Sequence, residues 1–287
     1  MTPGESTPDS VSSSQPETPK LKFAWQPLTP RGVAAFAQAT LGRLLLVQFI
    51  VALLAAVAVI WFLATACFPT VQQAIRQLPD QGMIRDGQLA SPRLSAEPLA
   101  EGRIVAIVVD LRNQSRASLS ADIRVEFRKS DWEVCSLFGC IIGQYPKDYL
   151  VQFNRPELEP WWGAWEPIIL SLVFIIVIAS LILSWAVLAT LYFGFVRLFA
   201  FFKDRELTWG GSWRLAAAAL MPGAVWLSAG VFLYGLGVLD LIRFLLVAIF
   251  HVVIGWIYLA LGALKLPPLS STARPAANPF TVPPKGT

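Results

Sequence analysis

The run LLLVQFIVALLAAVAVIWFLATACF, Leu44 to Phe68, contains no charged residue. That fact limits the available folds more than any other in the chain. At 1.5 Å per residue a helix over this run is roughly 37 Å long, enough to cross a hydrocarbon core of about 30 Å with some tilt. Three further runs behave alike: Trp165 to Val196, Trp213 to Leu239 and Leu241 to Leu264. The chain is 55% hydrophobic and 15% charged, against about 25% charged in soluble domains. The expected fold class is an α-helical integral membrane protein with four transmembrane helices.

Basic residues beside the spans set their orientation. Lys20, Lys22, Arg31 and Arg43 precede the first span. Arg197, Lys203, Arg205 and Arg214 lie between the second and third, against Asp204 and Glu206. Lys265, Arg274 and Lys285 follow the fourth. Both termini are therefore expected in the cytoplasm and residues 69–164 outside it, in a bacterial plasma (inner) membrane. Residues 1–30 and 265–287 are rich in Pro, Ser and Thr and read as disordered tails. Residues 31–43 read as a juxtamembrane helix and residues 197–212 as a cytoplasmic loop.

Residues 69–164 are expected to form a small α+β domain with an antiparallel sheet, inserted between the first two spans. TVQQAIRQLPD reads as a short helix stopped at Pro79. Asp86-Gly87 is a hairpin dipeptide. RIVAIVVDL, Arg103 to Leu111, reads as a buried strand. In DIRVEFRKS, Ile123, Val125 and Phe127 alternate with Arg124, Glu126 and Arg128, a half-buried strand with a polar side toward solvent. DYLVQF adds a further candidate strand. Trp161, Trp162 and Trp165 mark the return to the membrane interface, and Pro167 is expected in the first turn of the second span. So small a sheet should lean on the membrane or on a partner.

The order of a tail, one span, LP…IRDGQL, GRIVAIVVDL, VEFRKSDWEV and a hydrophobic C-terminal bundle resembles a family of bacterial membrane proteins of unassigned role. That family includes the maltodextrin-utilisation accessory protein of some sugar operons. Its pattern is a LP…I.DG.L segment followed by an I..D strand end, and the likeness runs from about residue 31 to 264. The chain departs from it in its Trp content, in the CSLFGC insertion and in its count of spans. The resemblance implies an extracytoplasmic domain on a membrane bundle and no particular reaction.

Cys135 and Cys140 close the short CSLFGC loop. Outside the cytoplasm thiols tend to be oxidised, so a structural disulfide is expected, with two free thiols or a redox switch as alternatives. Cys67 is left over and reads as a small apolar residue. His251, the single histidine, falls at mid-span. It either packs and hydrogen-bonds between helices or serves a proton or ligand. Asp240 and Arg243 form an i,i+3 pair or, alternatively, an anion contact at the outer mouth of the bundle. Pro222-Gly223 should kink the third span, with Ala219, Gly223, Ala224, Ser228 and Gly230 as a close-packing face. Asp110, ending a strand, and Asp86, in the hairpin, either touch a ligand or cap their local structure. Asn113-Gln114-Ser115 matches a glycosylation sequon, of consequence only in a eukaryotic secretory pathway.

An enzyme needs convergent titratable groups, and one histidine with scattered acids does not supply them. No catalytic residue, cofactor or metal is expected, and no basic stripe points to nucleic acid. The function expected is that of a non-enzymatic multi-pass membrane protein whose extracytoplasmic domain senses a ligand or binds a partner. The alternative is an accessory subunit of a solute permease or an oligomeric transporter. Its expected partners are the lipid bilayer and another membrane or envelope protein, with a homo-oligomer also open.

Overall fold

A computed structural model describes residues 25–91, 96–111 and 121–268. The terminal segments outside these bounds, and the Asn113 sequon, lie beyond the described residues. Among the described residues four helices are long and apolar enough to cross a membrane.

Local chemistry explains where they start and stop. Helix α1 (Pro30–Phe36) is capped by Thr29, whose hydroxyl accepts from the Gly32 amide at 3.1 Å. A second cap, Thr40, starts α2 (Leu41–Phe62), so two helices stand where one juxtamembrane helix was expected. Val33 to Phe36 are buried in the bundle. Helix α2 runs on through a π-helical turn, Leu63–Cys67, into α3 (Phe68–Gln77), giving one continuous rod of 37 residues. Pro69 has no N–H for the carbonyl one turn back, and the widened π turn absorbs that loss.

Helix α4 (Arg155–Phe202) has 48 residues. Asn154 accepts from the Glu157 amide at 3.1 Å and Pro156 occupies the first turn. The helix therefore begins at Arg155 rather than Trp165, and Pro167 lies in its interior instead of its first turn. The next span breaks into α5 (Trp209–Ala219) and α6 (Met221–Gly235), with Leu220 between them and Pro222 in the first turn of α6. Helix α7 (Leu241–Leu264) is capped by Asp240.

Helix α5 forms the centre of the bundle. Leu215 to Ala219 are fully buried, and the alanines let neighbouring backbones approach closely. Buried Gln48 of α2 donates through Nε2 to the Ala217 carbonyl at 3.4 Å. Helices α6 and α7 also meet closely. A methyl at Gly223 would come within 2.4 Å of the His251 carbonyl oxygen, and one at Gly230 within 2.5 Å of Val247 Cγ1. Ile175, Leu183 and Phe195 on α4, with Ile242 and Ile249 on α7, stay more than half exposed. An apolar belt of this kind is unsuited to water.

Between α3 and α4 lie two sheets. The smaller joins β1 (Met83–Arg85), β2 (Gln88–Ala90) and β8 (Val151–Gln152) antiparallel, in the order β2-β1-β8. The larger runs β3-β4-β5-β6-β7 through β3 (Ala96–Glu101), β4 (Val105–Asp110), β5 (Ile123–Arg128), β6 (Asp131–Ser136) and β7 (Gly139–Gln144). It is mixed, because β4 and β5 are parallel. This corrects the expectation of a wholly antiparallel sheet. One face of the larger sheet buries Ile107 and Val109 against Ala74 and Leu78 at the end of the long rod.

The sheet region therefore has two ends. The β3–β4 turn, the start of β5 and the β6–β7 turn lie together at the bundle: Asp122 N donates to Arg103 O at 3.3 Å, and Ile123 pairs with Ser136. The Asp86-Gly87 turn and the β5–β6 turn lie at the far end. Leu89 N donates to Lys129 O at 2.7 Å, and Gly87 abuts Lys147.

Candidate functional site

The junction between sheet and bundle is the most densely bonded polar feature linking the two. Helix α6 ends in a Schellman motif: the Gly237 amide donates to the Tyr234 carbonyl at 3.1 Å and the Val238 amide to the Leu233 carbonyl at 3.0 Å. Arg103, from the β3–β4 turn, reaches into this terminus. Its Nη2 donates to the Tyr234 carbonyl and its Nη1 to the Leu239 carbonyl, the latter at 3.3 Å. A cation at the carbonyl end of a helix is favoured by the helix dipole. The guanidinium also sits 5.2 Å from the centroid of the Tyr234 ring.

Tyr234 completes the joint. It is buried, and its ring stacks between Phe62 of α2 at 5.5 Å and Phe244 of α7 at 4.8 Å. Its hydroxyl donates to Asp122 Oδ2 at 2.6 Å. Asp122 and Arg103 are themselves tied, since Ile123 N donates to Ile104 O at 2.8 Å beside the Asp122–Arg103 bond. Three helices, the β3–β4 turn and the residue ahead of β5 thus meet at one side chain. The arrangement couples the position of the sheet to the end of α6.

A second polar cluster spans β5 and β6. Glu126 is 2% exposed, although its strand side was expected to face solvent. Arg124 pairs with Glu126, Arg128 Nε donates to Glu126 Oε1 at 3.0 Å, and Arg128 Nη2 donates to Glu133. Opposite charges side by side make burial of the polar side tolerable. The Tyr145 hydroxyl donates to the Arg128 carbonyl at 3.1 Å. Burial first, and the Asp131 carboxylate second, hold that phenol well above its usual range.

The residues singled out in the sequence are scattered. Cys135 and Cys140 face each other across β6–β7 and are joined in a disulfide. With Glu133 they form a group of metal-ligating types, but no thiolate remains to ligate. Cys67 lies in the π turn, half-buried and free. His251 donates through Nδ1 to the Ala248 carbonyl of its own helix rather than across helices. Asp240 accepts from the Arg243 amide at 2.8 Å and pairs with its guanidinium at 3.4 Å, both side chains largely exposed. Asp86 and Gly87 adopt positive φ, 53° and 75°, as a type I′ turn requires. Asp110 is buried in β4, opposite Arg128 of β5.

A cleft of about 610 Å³ opens at the far end of the sheet region. Gln81, Gln88, Ser91, Leu111 and Lys129 line it; neither Asp86 nor Asp110 does. Sequence reasoning missed Arg103, Asp122 and Tyr234, which lie far apart in the chain. A local signal existed only in Gly237, a glycine placed to end a helix. No family model, curated protein or solved structure matches this chain.

Proposed function

We propose that the chain is a non-enzymatic multi-pass protein of a bacterial plasma membrane, with both termini cytoplasmic and the sheet region outside. In this reading the far-end cleft binds a ligand or partner, and the junction conveys that contact to the bundle. The observation that carries the proposal is the Arg103–Tyr234–Asp122 joint, which ties the sheet to the end of α6. The cleft volume falls in the range of ligand sites, and its lining mixes apolar with polar groups. The basic flanks of the spans and the exposed Trp161 and Trp165 on α4 support the orientation. The resemblance of the IRDGQL and IVVD segments to the maltodextrin-accessory family supports a role without a reaction.

Affinity capture from native membranes tests this with full-length wild type and two variants. Gln88→Trp fills the cleft and should lose the captured species; Asp86→Ala, outside the cleft, should keep it. Equal capture by all three would refute the cleft as the recognition site. Labelling intact cells with a membrane-impermeant maleimide after Asp86→Cys tests the placement, because absence of label would put the sheet region inside.

A second reading, an accessory subunit of a permease or an oligomeric transporter, is favoured by one feature. A groove of about 450 Å³ runs between α2 and α6, lined in part by Ala58, Ser228, Ala229 and Trp61. Small residues in an apolar groove suit a further helix. Solute or proton flux in proteoliposomes, abolished by His251→Ala, would move this reading ahead of the first.

A further inference from the structure

The β6–β7 hairpin carries an apolar tip that the sheet region leaves uncovered. Leu137 and Phe138 form its turn and are 60% and 80% exposed. Ile141 and Ile142, just beyond, are 68% and 62% exposed. From Val134 to Pro146 the chain carries no charge. Four adjacent large apolar side chains facing outward do not suit water. The hairpin is also built to stay in shape: Cys135 and Cys140 staple it at the base of the turn. Gly139, at φ +120°, closes the turn in a conformation that side chains resist, and the Phe138 amide donates to Ser136 Oγ at 3.3 Å.

Position in the fold says what covers this tip. The turn lies at the bundle end of the sheet, in the row that holds Arg103 and Asp122, and Asp122 bonds to the end of α6. Leu137 shares a cleft of about 230 Å³ with Asp122 and with Leu241, the first residue of α7. Beyond Leu241 the outer side of α7 continues with exposed Ile242, Leu246 and Ile249. The hairpin tip is therefore continuous with the apolar belt, at the level where α7 begins.

We propose that the stapled hairpin is a lipid-inserted foot, with Leu137 and Phe138 seated among the acyl chains of the outer leaflet beside α7. This rests on the membrane placement proposed above. Insertion gives the sheet region a support additional to the Arg103–Tyr234 joint and to its packing on α3, and fixes its height over the bilayer.

Photo-cross-linking of the full-length chain in nanodiscs of phosphatidylethanolamine and phosphatidylglycerol tests it, with adducts identified by mass. Three separate variants carry the probe: Phe138→p-benzoylphenylalanine at the tip, Ile249→p-benzoylphenylalanine on the outer side of α7, and Asp86→p-benzoylphenylalanine at the far end. The expected result is lipid-mass adducts at 249 and 138 and none at 86. Lipid adducts at 249 with none at 138, or with only peptide cross-links at 138, would overturn the foot while leaving the membrane placement intact. Equal adducts at 86 and 138 would also overturn it. No lipid adduct at 249 would remove the membrane placement and the foot together.

Discussion

The two ends of the sheet region are built from opposite chemistry. At the far end the hairpin turn is Asp86-Gly87, with Asp86 charged and exposed and Gly87 covered by Lys147. At the bundle end the hairpin turn is Leu137-Phe138, apolar and exposed, while Arg103 and Asp122 grip α6. Both turns are tight, so geometry does not account for the difference. The difference teaches that a turn's residues report its surroundings as well as its backbone: charge where water is the solvent, hydrocarbon beside an apolar belt.

Four tests break or sharpen that contrast. The largest effect belongs to Glu126→Ala, midway between the ends. It removes the buried carboxylate that lies between Arg124 and Arg128, while Glu133 stays paired with Arg128, a loss of about 3 kcal/mol. Both ends should loosen together, read as faster hydrogen exchange at Lys129 and at Asp122; loosening of one end alone would show that they are independent. Next, the pair Cys135→Ser and Cys140→Ser removes a short covalent loop worth about 2 kcal/mol in the chain-entropy account. Exchange should rise in the bundle-end turn and stay unchanged at Asp86.

Arg103→Ala removes hydrogen bonds from a charged group, worth about 1.5 kcal/mol at so exposed a position. Thermal melting in detergent should fall, with exchange rising at residues 237–239, whereas Lys129→Ala at the far end should change neither. The smallest effect is Tyr145→Phe, about 1 kcal/mol for one hydrogen bond. Because the folded phenol titrates above its unfolded value, the stabilisation it adds is complete below about pH 10 and disappears as pH rises past the folded value. Alkaline unfolding curves of wild type and variant should therefore differ near neutrality and converge at high pH. A gap that widened with pH would contradict the assignment.

The apolar runs, the Asp86-Gly87 turn and the β4 and β5 strands were legible because each rests on local periodicity or turn chemistry. The Pro222 break was legible for the same reason. The start of α4 at Arg155 was obscured by Pro156, Pro160 and Pro167, which read as punctuation, although Asn154 followed by Glu157 is an available cap signal. The burial of Glu126 is not legible, because a period of two reports sides, not burial, and two arginines can cover a carboxylate. The parallel β4–β5 register is a pairing that periodicity does not encode. The joint at Tyr234 unites residues more than a hundred positions apart, and no window of local sequence contains it.

The π turn at Leu63–Cys67 has a mechanical consequence. One surplus residue in a helical rod rotates everything beyond it by about 100°. Here that rotation aims Thr70 and Ala74 at the β3–β4 side of the sheet. Deleting Ala64 would keep the rod helical but turn its outer segment like a crank, so a single codon sets the azimuth at which the sheet region stands on its pedestal.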